Sequence, residues 1–393
     1  EGEGLTVPRG MTEGIFINKV RLDATGDTVT LSPLVVSARG ALHAVSGTIS
    51  RMGEGFDIDL NLDSDHIDLA PPAAGPEAPD DLFAEAASDP MAVLKRFGVQ
   101  GNLSARVDRL THNGITWSDV RGNITLYPEG YRADIAEAFH CGIMTSGQLV
   151  ADGGTWRLTL ETRADGEDLS TPIACFSDNR SLIDGPFTYR GRFMSDNRQD
   201  LIGHTRGSVD LIAGSGRIHR LNVLSKILAI LNVTEIFRGK VPDLLEDGFA
   251  YETLTVKGRI DKGTLTVDEA AIQGASMELV GRGTIDLATG TADLTVLIAP
   301  FKTVDTLIKI TPIISRLLDG NLVSIPVKVS GDLADPSIIP LDPAAVGTSL
   351  VNLMKRTFDI PATLISPFRR QQDEKEKGSA SPQEAVTAPD TDR

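Results

Sequence analysis

The clearest regularity in the chain is a strict alternation of apolar and polar residues. Between residues 56 and 63, Phe56, Ile58, Leu60 and Leu62 alternate with three aspartates and an asparagine. Successive side chains of a β-strand point to opposite faces, so this segment predicts a strand with one apolar and one hydrated face.

The same period of two returns along the rest of the chain, and Gly-containing turns such as Asp152-Gly153-Gly154 separate the runs. It places these further apolar positions on strand faces: Trp156, Leu158, Leu160, Leu265, Val267, Leu279, Leu294, Val296, Ile298 and Val327. Tight turns between alternating runs are typical of antiparallel meanders. The sequence therefore predicts a mainly β protein, a long antiparallel β-sheet of repeating meanders with a few short α-helices.

Composition and pattern divide the chain into successive parts. Two β-meander blocks, 1–70 and 99–182, flank a Pro/Ala-rich linker with short helices at 71–98. A third β-rich region covers 183–340, a terminal amphipathic helix 341–367, and a polar tail 368–393. The tail has too few apolar residues to offset the entropy of ordering it, so we expect it to be disordered.

Two helical segments have alternative interpretations. Residues 221–231 are apolar on most sides, so Leu224, Ile227, Leu228 and Leu231 either plug or line an apolar groove or belong to an ordinary core. Residues 346–358 are amphipathic, and this helix either touches a membrane or partner or caps the end of the sheet.

Charge and hydropathy narrow the class of protein. The formal net charge is −16 and the pI is about 4.8, which argues against a broad nucleic-acid surface. The sequence has no apolar run of the roughly 20 residues that a membrane-spanning helix needs. It begins at Glu1 and carries no signal peptide, so we expect a segment of a longer protein whose targeting region lies elsewhere.

No catalytic constellation is evident in the sequence. The six histidines lack metal-ligand spacing, and His140 and Cys141, as neighbours in a strand, should point to opposite faces. We therefore predict a protein that is not an enzyme and uses no metal and no cofactor. Cys141 and Cys175 permit one disulfide, or else two buried free thiols.

An ordered series of short segments connects the third region to a known family. The segments are GSVDL (207–211), GRI (216–218), LNVLSKIL (221–228), EDGFAY (246–251), GRGTIDL (281–287) and IPVKVSG (325–331), followed by Asp335-Pro336 and Pro340. Together they resemble the C-terminal region of the AsmA-like superfamily, of the YhdP type. The resemblance also favours the disulfide between Cys141 and Cys175.

The resemblance implies a periplasmic protein anchored in the inner membrane, with the anchor outside this chain, and a long, curved β-groove. Its alternating apolar residues would collectively line that groove and shield phospholipid acyl chains that move between the inner and outer membranes. The residues alone also allow the apolar faces to bury each other in a sandwich. The rival functions are a scaffold for outer-membrane proteins, with a sheet edge receiving a client strand, and an enzyme or sugar-binding β-protein.

Overall fold

A computed structural model provides the structure of the chain. It describes residues 2–6, 15–38, 40–69, 94–112, 114–176, 182–197, 200–219, 248–274, 277–300, 324–342 and 346–358. The predicted helix at 221–231 with Leu224, Ile227, Leu228 and Leu231, most of the linker and the tail lie outside the described residues.

The described residues are 74% strand and 8% helix, which confirms the predicted mainly β fold class. The chain forms two compact units. Unit 1 comprises Glu1–Arg180, Pro186–Leu211 and Arg259–Thr264, and unit 2 comprises Ser181–Gly185, Ile212–Gly258 and Leu265–Arg393.

The described residues of unit 1 include twelve complete strands and a short helix. The strands are β1 (Gly2–Thr6), β2 (Ile15–Val20), β3 (Leu22–Thr25), β4 (Thr28–Ala38), β5 (Ala41–Met52), β6 (Gly55–Asp68), β7 (Val99–His112), β8 (Ile115–Tyr127), β9 (Gly130–His140), β10 (Ile143–Asp152), β11 (Thr155–Asp168) and β12 (Pro186–Ser195). The helix α1 (Ser170–Phe176) follows β11.

Consecutive strands of unit 1 from β3 to β12 are hydrogen-bonded neighbours. All of these pairs except β6–β7 are antiparallel, as a meander requires. The turn between β10 and β11 shows why glycine recurs between strands. Gly153 and Gly154 have φ values of +51° and +86°, which residues with a Cβ adopt only at a cost.

One pair of strands in unit 1 departs from the predicted antiparallel pattern. β6 and β7 are parallel, with Phe56 opposite Val99 and Leu62 opposite Ala105. A tight hairpin can join only antiparallel strands, whereas a long connection can return the chain to the same end of the sheet. The segment between β6 and β7 is long enough to do this.

Unit 2 has strands and a helix of its own. It contains β14 (Gly216–Ile218), β17 (Met277–Asp286), β18 (Thr291–Pro300), β19 (Ile325–Asp332), β20 (Ser337–Pro340) and the helix α2 (Thr348–Phe358). Residues of both units contribute to β13 (Arg206–Ala213), β15 (Phe249–Asp261) and β16 (Thr264–Gly274).

The best-defined core of unit 2 lies between α2 and its sheet. Val280 of β17 and Leu297 of β18 are both 0% exposed and belong to one buried cluster with Leu350, Leu353 and Met354. The amphipathic helix predicted at 346–358 thus packs its apolar side against the face of β17 and β18. No helix among the described residues is both long and apolar enough to span a membrane.

Candidate functional site: the aliphatic face of unit 1

The strand register of unit 1 aligns aliphatic residues across seven strands. Directly opposed residues of paired strands share a face, so the pairings can be followed from strand to strand. One row runs through Gly47, Leu60, Leu103, Ile124, Ala133, Leu149 and Leu158, and the next through Val45, Leu62, Ala105, Gly122, Ile135, Gly147 and Leu160. We call this surface of β5–β11 the aliphatic face.

The side chains of the aliphatic face are only partly buried. Leu60, Leu103 and Leu158 are of intermediate exposure, and Phe56 at its end is 38% exposed. Neighbouring strands of the sheet contact each other extensively. The aliphatic side chains therefore shield one another sideways and remain partly exposed.

The opposite face of the same strands is hydrated and polar. Asp57, Asp59, Asn61 and Asp63 lie on it by alternation in β6. Further along, Ser104 donates a hydrogen bond to Asn123 over 3.2 Å, and Thr125 donates one to Asn102 over 3.0 Å. Ion pairs Arg106–Asp63 and Arg121–Glu137 lie there at 3.9 and 2.7 Å. Such exposed pairs add little stability, and they identify the side of the sheet that faces water.

Seven of the predicted groove residues lie on the aliphatic face. They are Phe56, Ile58, Leu60 and Leu62 of β6, and Trp156, Leu158 and Leu160 of β11. The register also adds residues that the sequence had not singled out, among them Val45, Ile124, Ile135 and Leu149. Their strands lack a clean alternation, and β-bulges interrupt the register of β4 with β5, of β8 with β9 and of β9 with β10.

The other predicted groove residues lie in or beside unit 2, where the surroundings differ. Leu279 is opposite Ile298, and Val327 is opposite Val296 on the same face of β17–β19. Ile298 and Val327 are 0% exposed. Leu294 and Val296 share their face and are of intermediate exposure. Leu265, Val267 and Ala271 lie on the same face of β16, because even numbers of residues separate them. Ala271 belongs to the core beneath α2, so all three lie on the α2 side of the sheet.

Aromatic rings mark the β12 end of the aliphatic face. Tyr189 is opposite Ala164, and Phe193 is opposite Leu160. A side chain at Gly191 would collide with both rings and with Thr162, so glycine makes room for them. Thr162 Oγ1 donates a hydrogen bond to the Tyr189 hydroxyl over 3.2 Å, and burial raises the pKa of that hydroxyl, which keeps it protonated.

The structure joins Cys141 and Cys175 by a disulfide, with the two Cα atoms 5.8 Å apart. Cys141 lies in the turn after β9, where its φ is +55°, and Cys175 lies in α1. The bridge therefore attaches α1 to the β9–β10 turn. A bridged pair offers no thiolate, so these sulfur atoms act as a structural link and not as ligands or nucleophiles.

His140 lies beside this bridge. Its ring centroid is 5.9 Å from that of Trp117 and 5.7 Å from that of Phe176. Its Nδ1 donates to the carbonyl oxygen of Thr116 over 2.8 Å, because a carbonyl only accepts, and Nε2 is 3.9 Å from Cys175 Sγ. The sequence predicted that His140 and Cys141 point to opposite faces, whereas the His140 ring and both sulfur atoms lie within 4.8 Å of one another.

The fold and this surface define a class: a mainly β protein in which a sheet presents an aliphatic face that stays partly exposed. A family model described as YhdP protein matches residues 140–338, which is half of the chain. The chain therefore belongs to the YhdP family, as its resemblance to AsmA-like proteins of the YhdP type predicted, and this membership associates it with the cell envelope. Neither a curated protein nor a solved structure matches the chain.

Proposed function

We propose that this chain is the periplasmic part of an AsmA-like envelope protein anchored in the inner membrane. Its aliphatic face shields phospholipid acyl chains during transport between the inner and outer membranes. The observation that carries the proposal is the row of opposed aliphatic residues that crosses β5–β11 while staying only partly buried.

The energetics of such a face favour an apolar occupant. Each methylene group removed from water contributes about 0.8 kcal/mol, so an acyl chain laid on the face gains several kilocalories per mole. Large exposed apolar patches on soluble domains mark binding surfaces, because an uncovered patch otherwise promotes aggregation.

The chemistry of the face favours hydrocarbon over a folded protein partner. Protein interfaces depend on aromatic and arginine anchors that fill pockets. The central rows of the aliphatic face contain leucine, isoleucine, valine, alanine and glycine, with aromatic residues only toward the strand ends and at β12. A surface with few polar groups binds acyl chains without fixing their position, which suits movement along it. The proposal needs no catalytic residue and no cofactor.

The test is mass spectrometry of organic extracts from the chain expressed in a bacterial periplasm and purified gently. Leu60→Asp should lower the phospholipid recovered per chain about tenfold or more, because it places a carboxylate where the acyl chain lies. The matched control Asn61→Asp introduces the same group one residue away, on the hydrated face, and should leave the recovery unchanged. A folded Leu60→Asp variant that retains its lipid would contradict the proposal.

A second candidate, a scaffold for outer-membrane proteins, has one observation in its favour. β1 is paired with β2, and among the described strands none pairs with its other side. Such an edge can accept an added strand from a client. This candidate predicts that the chain binds unfolded segments of β-barrel proteins and carries no phospholipid.

A further inference from the structure

The apolar pattern of β6, β7 and β8 inverts near one end of the aliphatic face. After Leu60 and Leu62, the same side of β6 continues with Ser64 and His66. In register with them are Val107 and then Arg109 of β7, and Arg109 is opposite Ser118 of β8. On the other face of these strands, polar residues give way to apolar ones. There Ile67 is opposite Leu110, and Leu110 is opposite Trp117.

We call this end of the aliphatic face the polar rim, formed by Ser64, His66, Arg109, Thr111, Thr116 and Ser118. Hydrogen bonds connect much of it. His66 Nε2 is 3.2 Å from Thr111 Oγ1, which is 3.1 Å from Thr116 Oγ1. Behind them, the Ser64 hydroxyl is 2.8 Å from His43 Nδ1. The rim therefore presents hydroxyl and imidazole groups that are already held in place by one another.

Arg109 is the charged group of the rim. It is exposed and lies between His66 and Ser118 in the register. Within the part of the chain that the structure describes, it has no ion pair and no hydrogen bond from its side chain, although the protein carries a net charge of −16. The nearest acid on this side by register is Asp68, opposite Thr111, and Asp68 has a partner of its own. An unpaired guanidinium in an acidic protein is complementary to an anion.

We propose that the polar rim binds the phosphate of a phospholipid headgroup while the acyl chains of the same molecule lie on the aliphatic face. This inference rests on the proposed function and adds where the headgroup lies and which residues contact it. Guanidinium, hydroxyl and imidazole groups are the donors that recognise phosphate oxygens. Arg109 supplies the charge, and the hydroxyls supply further hydrogen bonds.

The dimensions are compatible with one lipid spanning both surfaces. The eight steps from Val107 back to Val99 along β7 extend over roughly 26 Å at about 3.3 Å per residue. The hydrocarbon core of a bilayer is about 30 Å thick, so the chains of one leaflet reach about 15 Å. Acyl chains parallel to β7 therefore fit on the aliphatic face when the headgroup is at the rim.

The experiment measures headgroup selectivity inside one sample. The purified chain is incubated with vesicles of phosphatidylglycerol doped with diacylglycerol of the same acyl chains. After re-isolation, the ratio of the two bound lipids is measured by mass spectrometry. Because diacylglycerol lacks the phosphate, the ratio reports on the rim and the diacylglycerol alone reports on the aliphatic face.

Arg109→Glu should lower the bound ratio of phosphatidylglycerol to diacylglycerol about tenfold, the loss expected when a favourable charge contact becomes a repulsive one. Arg109→Gln should give a smaller decrease and Arg109→Lys should restore much of the ratio. The matched control is Arg106→Glu, on the hydrated face of the same strand, where the ratio should not change. Glycerol 3-phosphate, which has the phosphate but no chains, should not displace phosphatidylglycerol at equal concentration.

An unchanged ratio in Arg109→Glu and Arg109→Gln, an equal decrease in Arg106→Glu, or displacement by equimolar glycerol 3-phosphate would each overturn the inference and leave the proposed function standing. If the unmodified chain retains neither lipid, the proposed function itself fails, and the inference falls with it.

Discussion

Unit 1 and unit 2 use the same kind of strand and treat its apolar face differently. In unit 2, Val280 and Leu297 are 0% exposed in a cluster with α2, whereas Leu60 and Leu103 of unit 1 are only half-buried. The alternation of residues is equally good in both. An apolar strand face therefore shows where a cover is needed, and the rest of the chain determines whether the protein itself supplies that cover.

The largest expected difference between the two units is the loss of folding free energy when a leucine is truncated to alanine in each. Leu297→Ala should lower the free energy of unfolding of unit 2 by about 4 kcal/mol, because a fully buried leucine leaves a cavity beneath α2. Leu103→Ala should cost unit 1 about 1 kcal/mol, since its side chain is already partly hydrated.

The two units can be followed separately. Both tryptophans, Trp117 and Trp156, lie in unit 1, so their fluorescence reports on that unit alone. Hydrogen exchange of peptides from β17 and β18 reports on unit 2. Equal losses of stability for the two variants would mean that the aliphatic face of unit 1 is covered after all.

A somewhat smaller effect is expected from the disulfide. Replacing both Cys141 and Cys175 by serine should lower the free energy of unfolding of unit 1 by about 3 kcal/mol, because the bridge closes a long loop in the unfolded chain. Trp117 fluorescence during urea unfolding measures this loss, and non-reducing electrophoresis confirms that the unmodified protein is bridged.

The same variant distinguishes the two sides of unit 1. Phe176 of α1 contacts His140, and His140 contacts Trp117. Trp117 lies between Thr116 and Ser118 of the polar rim in β8, so its side chain points to the opposite side of the sheet. Lipid retention at temperatures where the variant is folded should therefore be unchanged. A loss of lipid from the folded variant would show that the bridge supports the aliphatic face directly.

Much of unit 1 could be predicted from period two alone. β6 alternates without interruption from Phe56 to Asp63, and β11 alternates from Trp156 to Leu160, so their faces followed from the sequence. β9 and β10 could not be assigned in this way, because a bulge between Thr145 and Gly147 shifts the alternation within the pair. Position 147 lies on the aliphatic face but is a glycine, so it has no apolar side chain that would mark this face in the sequence.

The alternation of apolar and polar residues could not predict contacts between distant parts of the chain. The parallel pairing of β6 with β7 depends on the path of a long connection, and the proximity of His140 to Cys175 depends on where α1 lies. The sequence also could not predict which apolar positions are buried. Leu60 and Val327 both belong to runs with an apolar residue at every second position, yet Leu60 is partly exposed and Val327 is fully buried. Burial is a property of the assembled layers and not of a single strand.

Site-specific photocrosslinking in the periplasm tests most directly whether phospholipid lies on the aliphatic face of unit 1. The photoreactive residue p-benzoylphenylalanine replaces Leu103, on the aliphatic face, or its chain neighbour Ser104, on the hydrated face. If acyl chains lie on the aliphatic face, phospholipid adducts form at position 103 and not at position 104. Protein adducts at 103, or phospholipid adducts in equal amounts at both positions, would contradict that placement.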